Sequence, residues 1–192
     1  MNLRVLSLTA LVWLMPMLAL ADAWKIDADH SSANFTVKHL MVSNVTGTIQ
    51  GIKGTINLDE KKPTASTVDV TLDVATIDTR NKKRDEHLKS PDFLDAKKYP
   101  TIRFVSKKIA KAGKFWNVTG DLTIHGVTKP TTLKATVTDA VQSPFGTTVR
   151  GVEATTTIKR SAYGMTWNKT LEKGGLLVGD DVNIELHLEL QK

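Results

Sequence analysis

The sequence predicts an all-β protein of about eight long antiparallel strands, and three observations carry that prediction. Apolar and polar residues alternate with period two in many separate segments. Clusters of Gly, Pro, Asp and Lys lie between those segments, and only one short stretch breaks the rhythm. Period-two alternation marks strands with one dry and one wet face, the signature of an antiparallel sheet covered on one side.

The segments follow in order. Ala33, Phe35 and Val37 share one parity, with Asn34, Thr36 and Lys38 on the other. The run 45–58 continues the pattern, but its parity slips between Ile49 and Ile52, so Gly51 marks a bulge or a sharp bend. Val68, Val70, Leu72 and Val74 alternate with Thr67, Asp69, Thr71 and Asp73. Less regular runs occupy 101–109, 115–124, 131–141 and 148–160. The last run is the cleanest: Val182, Ile184, Leu186, Leu188 and Leu190 alternate with Asn183, Glu185, His187 and Glu189. Turn signals lie at 59–63, 111–114, 125–130, 142–146 and 173–175.

The exception is 81–100, NKKRDEHLKSPDFLDAKKYP. Ser90, Pro91 and Asp92 supply a capping hydroxyl, a proline for the first helical position and an acid near the positive helix end. This predicts a short helix over 92–97, ended by Pro100, with a second turn over 84–89. Both would lie over one end of the sheet. One-sided strands hide their apolar faces in a closed barrel or in two packed sheets. A barrel of about eight strands either fills its interior with side chains or holds one small ligand.

Residues 1–23 do not read as part of this domain. A short basic start, the apolar run Val5–Leu20 broken by Pro16, and small residues at Ala19, Ala21 and Ala23 form the layout of a secretory leader cleaved near Ala21 or Ala23. The folded domain is therefore expected over 24–192. The chain has no cysteine, which removes disulfides, thiolate chemistry and Cys-based zinc sites. Its net charge is +6 over 192 residues. Removing the leader takes one basic residue, Arg4, and one acidic residue, Asp22, so the balance persists and favours anionic surfaces or headgroups. The basic residues are spread along an exported chain, which argues against nucleic acid as a partner.

No catalytic or metal set is legible. Asp29, His30 and Ser31 alternate in direction if extended, and no Gly-x-Ser-x-Gly is present. His30 and His39 are nine positions apart, which places them on opposite faces of a strand. His87 and His125 fall outside strands, and His187 lies on a wet face. A metal-dependent or hydrolytic enzyme using His30, His39, His87 or His125 is the alternative that this pattern disfavours. Trp116 and Trp167 read as packing at a barrel end. The basic run Arg80, Lys82, Lys83, Arg84 and Lys89 reads as a solvated face or a charged rim.

Several segments together resemble the YceI-like family. They are Trp24-Lys25-Ile26-Asp27 with Asp29-His30-Ser31, Phe35 and Lys38-His39-Leu40; Ile77-Asp78-Thr79 and Arg84 to Leu88; Asp92 to Ala96 with Tyr99-Pro100; Gly120 to Pro130; and Lys159 to Met165. The resemblance implies a lipocalin-like, eight-stranded antiparallel barrel with one or two short helices at its end. It implies a periplasmic protein that holds a polyisoprenoid or similar amphiphilic lipid without catalysis or cofactor, and that is linked to stress responses. Ile49 and Ile52 stand where the family often has phenylalanines, and Ala162 where it often has an acid.

The inward parity then assigns an apolar lining: Phe35, Val37, Val70, Leu72, Ile102, Phe104, Leu122, Ile124, Ile158, Leu186 and Leu188. Arg84, His87 and Arg160 are assigned to a polar mouth. Transient contact with a membrane surface fits the charge. A filled barrel acting through protein contacts, for instance as a homodimer through a strand edge, is the other alternative.

Overall fold

The structure, a computed structural model, describes residues 22–171 and 174–192. The expected leader lies outside the described residues up to position 21. Asp22 and Ala23 open the first strand by pairing with Leu58 and Asn57.

Ten strands form: β1 (Asp22–His39), β2 (Ser43–Ile49), β3 (Lys53–Leu58), β4 (Thr67–Asp73), β5 (Thr101–Ala112), β6 (Phe115–Ile124), β7 (Val127–Val137), β8 (Val141–Gln142), β9 (Thr148–Lys159) and β10 (Val178–Gln191). All pairings are antiparallel. Around the barrel the order is β1, β3, β4, β5, β6, β7, β9, β10, and β10 pairs back with β1. That closes an eight-stranded barrel. The long β1 serves two partners on one edge, β3 along its first residues and β2 from Ala33 to His39. β2 and β3 are thus one barrel strand broken at 50–52, where the parity slips. Gly51 takes the bend with φ +67°, a conformation that a residue with a Cβ adopts only at a cost.

The segment 81–100 folds differently from its sequence signals. The helix is α1 (Lys82–Lys89), which takes in the expected second turn over 84–89, while the expected helix over 92–97 does not form. Asn81 caps it, its side-chain oxygen accepting from the Arg84 N–H. Ser90 ends it rather than starting another: it is extended at φ −77° and ψ 169°, the region into which a following proline pushes its neighbour. Beyond it, turns replace a helix. Phe93 and Asp95 both donate backbone N–H groups to the Ser90 carbonyl, and Asp95 sits at positive φ.

Strand β7 starts earlier than expected and contains Pro130, opposite Asp121. The expected strand 131–141 stops at Val137, and Val141 pairs separately with Val149. One more departure concerns β1. Its ladder with β10 jumps from Asp27↔Glu189 to Ser32↔His187, so residues 28–31 bulge against Leu188 alone. Asp27 holds the bulge by accepting from the Asp29 and His30 backbone N–H groups.

One part of the core lies at the end where β1 begins. Trp24, Ile56, Ile109 and Leu190 are buried there, Leu190 completely. At the opposite end the strands run into α1, the turns of 90–100 and residues 160–171 and 174–177. These form a lid.

Candidate functional site

Between floor and lid lies an apolar cavity of about 180 Å³ whose wall exposes no polar atom. The period-two alternation of the strands supplies that wall. All eleven residues assigned to a lining from the sequence face this space. Phe35 and Val37 come from β1, Val70 and Leu72 from β4, Ile102 and Phe104 from β5, Leu122 and Ile124 from β6, Ile158 from β9, and Leu186 and Leu188 from β10. Ile49 and Ile52 also reach it from either side of the Gly51 bend. The β1–β10 wall is the loosest: Phe35, Val37, Val182, Ile184 and Leu186 are only half-buried although they point inward.

The lid closes the cavity with side chains that the alternation did not reveal: Leu88, Phe93, Leu94 and Met165. The apolar pair Phe93-Leu94, inside the one non-strand segment, was the available signal. Above them His87 sits between Phe93 and Trp167, with ring centres 4.9 and 4.8 Å away. Its Nε2 lies 2.8 Å from Asp92 Oδ2.

The residues assigned to a polar mouth do not assemble into one. Arg84 is turned onto the loop before its own helix, donating from Nε to Thr79 Oγ1 at 2.7 Å and from a terminal nitrogen to the Thr79 carbonyl at 2.8 Å. The Asp85 carboxylate accepts from the same Thr79 through its backbone N–H and hydroxyl. Burial raises the Asp85 pKa, but those two bonds, with Arg84 and Lys89 nearby, outweigh it and hold the group below its usual range. Arg84 and Asp85 therefore clamp α1 to the loop at Thr79.

Arg160 does line the cavity, but its guanidinium is spent elsewhere. It donates to the carbonyl oxygens of Gly179 at 2.9 Å, Met165 at 2.6 Å, Trp167 at 2.9 Å and Val178 at 3.3 Å. Only 6% of the residue is exposed. Burial lowers its pKa against the opposing pull of Asp180. Asp180 in turn accepts from the Ser161 N–H and hydroxyl. Arg160 is thus the tie that fastens Met165, Trp167 and the start of β10 to the end of β9, and only its apolar stem is left for the cavity.

The β7–β9 ladder is one of the short seams of the barrel wall. β9 matches β10 over eleven residue pairs and β6 matches β7 over nine, but β7 and β9 share only four, Lys134↔Thr155 to Val137↔Val152. Pro130, which has no N–H to give, lies in the part of β7 that β9 leaves unpaired. Thr156 and Ile184 line both the cavity and the outer crevice at this seam. Tyr163 closes its upper end, where its hydroxyl lies 3.2 Å from Thr131 Oγ1.

Extended-strand geometry does not apply at 27–31. Because that stretch bulges, His30 Nδ1 comes 3.0 Å from Asp27 Oδ2. Asp27, His30 and Glu189 each offer a ligand atom within 4.8 Å of the others, an arrangement of the kind that can hold a cation. The Asp27-x-x-His30 spacing was its only trace in the sequence. The hydrogen bond with Asp27 raises the His30 pKa, and the same bond lowers that of Asp27.

A cavity whose exposed wall is apolar can desolvate an apolar chain. Comparison with known proteins agrees with this architecture. A family model described as the YceI-like domain matches residues 24–190. The YceI protein of Escherichia coli is 42% identical over 149 residues, 77% of this chain and 78% of its own length. The crystal structure of BcnA from Burkholderia cenocepacia superposes with a TM-score of 0.74 at 29% identity, covering 85% of this chain and 98% of that one. A domain from Saccharophagus degradans described as polyisoprenoid-binding shares the fold, with a TM-score of 0.60 at 14% identity over 89% of this chain and 98% of its own.

Proposed function

The chain belongs to the YceI-like family, and on that premise we propose that it is a periplasmic carrier or sequestering protein that holds the apolar chain of a polyisoprenoid or similar amphiphilic lipid inside the barrel, without catalysis. The observation that carries the reading is the cavity wall, which is apolar throughout and on which all eleven expected lining residues converge. Each CH₂ group moved from water into such a space gains about 0.8 kcal/mol, so a long tail binds with little polar recognition. The polyisoprenoid-binding description of the Saccharophagus degradans domain, on the same fold, supports this class of ligand. The leader-like residues 1–23 support export. Phe35 is a sensitive part of the wall: its ring lies over Gly47, where an added Cβ would collide with it.

Native mass spectrometry on protein released gently from the periplasm tests the reading, with a solvent extract run in parallel. A single added mass that leaves on denaturation and reappears as an apolar lipid is the expected result. A bare mass, unchanged after incubation with prenyl lipids, overturns it. Leu72→Asp, in protein that still folds, places a carboxylate in the cavity and abolishes tail binding; unchanged binding would remove the lining assignment.

A further inference from the structure

The tip of the β1–β2 hairpin bears two penalties on the same residues. Leu40, Met41 and Val42 form it, and they are 38%, 56% and 79% exposed. Leu40 and Met41 also hold positive φ, 51° and 63°, while the Val42 N–H donates to the His39 carbonyl at 3.1 Å. A turn with two left-handed central residues strongly favours Asn-Gly, because bulky side chains with a Cβ crowd their own backbone there. Neither penalty serves the barrel: polar residues would lie in water at no cost, and Asn-Gly would relax the turn.

Among the described residues, the other tips do not combine these features. In the β6–β7 turn, at the same end, His125 and Gly126 take the positive φ values, and His125 packs against Tyr99. Phe145, at the far end, is exposed, but there Gly146 takes the positive φ.

The hairpin tip is part of a larger prominence. The Leu40 N–H donates to the Leu177 carbonyl at 2.8 Å, which fixes the tip beside Leu176, itself 42% exposed. The prominence stands at the lid end: Val37 and Val178, a few residues back along each chain, line the cavity. Lys38 and Lys169 flank it, the Lys169 carbonyl accepting from the Leu177 N–H, in a chain of net charge +6.

We infer that Leu40, Met41, Val42 and Leu176 form a membrane-docking point that inserts into the headgroup–acyl boundary of an anionic bilayer and brings the lid over the lipids. Exposed apolar side chains with basic neighbours bind that boundary in proportion to the apolar area they bury. Strain kept where function needs it is the expected stability cost of such a device. The inference rests on the lipid-binding reading for why the protein would visit a membrane, but its test does not.

The test is co-sedimentation of the protein, purified as the cell processes it, with phosphatidylglycerol–phosphatidylethanolamine vesicles. The key variant carries Leu40→Asn and Met41→Gly together. It is expected to melt at a higher temperature than the parent while its vesicle affinity falls about tenfold or more. A second variant, Val42→Asp, reports on insertion without altering the two strained positions, and is expected to lose vesicle binding as well. Vesicle binding unchanged in both variants overturns the inference, as does a parent protein that stays in the supernatant. Sedimentation velocity showing a dimer that both variants dissolve would also overturn it, assigning the prominence to a second copy of the chain. Mass spectrometry of the same preparations keeps the two ideas apart: vesicle binding without carried lipid defeats the carrier reading alone, and carried lipid without vesicle binding defeats the docking point alone.

Discussion

The floor and the lid of this barrel close the same cylinder by different means. At the floor, Trp24, Ile56 and Leu190 are packed almost without exposure, and strand pairing continues to the last residues, with Gln191 opposite both Val149 and Lys25. At the lid, non-strand segments are held by polar ties: Arg160 on four carbonyls, and Arg84 and Asp85 on Thr79. One end is stabilised by apolar burial, while the other leaves apolar surface facing a cavity and the exterior. The floor resembles the interior of an ordinary small barrel.

Substitutions at the two ends sharpen or break this contrast. The largest expected effect is at the floor. Trp24→Ala costs about 3–5 kcal/mol, because it empties a site with almost no exposure. The thermal midpoint then falls by roughly 6–20 °C, measured by calorimetry. At the lid, Arg160→Met leaves buried carbonyl oxygens without a donor and costs about 3 kcal/mol. Its distinguishing readout is local: hydrogen exchange rises first over 160–179, and a uniform rise across all strands would show that Arg160 is not specifically a lid tie.

Next comes a matched pair on one strand. Leu190→Ala costs about 3 kcal/mol, whereas Ile184→Ala costs about 1 kcal/mol, since Ile184 already faces the cavity. Equal losses in denaturant titrations would mean that the cavity wall is as tightly filled as the floor.

The smallest effect concerns the bulge. The hydrogen bond with Asp27 raises the His30 pKa above its ordinary value of 6.5. Its stabilisation is therefore fully present below 6.5 and fades as pH climbs through the raised value. The thermal midpoint declines slightly over that window, and His30→Gln flattens the decline. Asp27 has the opposite sign: its stabilisation is present above 3.8, its ordinary value, and is lost as pH falls through the lowered one.

The cavity wall was legible in the sequence to an unusual degree, and the lid was not. Wall residues announce themselves because a strand sends alternate side chains to opposite faces, so parity alone separates Leu186 from Glu185. The lid lacks a period. The Ser90-Pro91 pair carries a helix-start signal, yet the proline drives Ser90 into the extended region and makes it the end of α1. Arg160 shows the same limit: its inward parity was readable, but it joins Met165 and Trp167, in irregular chain, to Val178 and Gly179 at the start of β10, a meeting that no local pattern predicts.

By itself the sequence determined the all-β class, the Gly51 break and the inward set, because each depends on neighbours along the chain or on a period of two. Only the tertiary structure decided the bulge that joins Asp27, His30 and Glu189, the four-pair seam between β7 and β9, and the strained apolar tip at Leu40 and Met41. The physical reason is that register belongs to a pair of strands. A single strand carries its own alternation, but how far its partner matches it, and where the ladder ends, is settled only when the barrel closes.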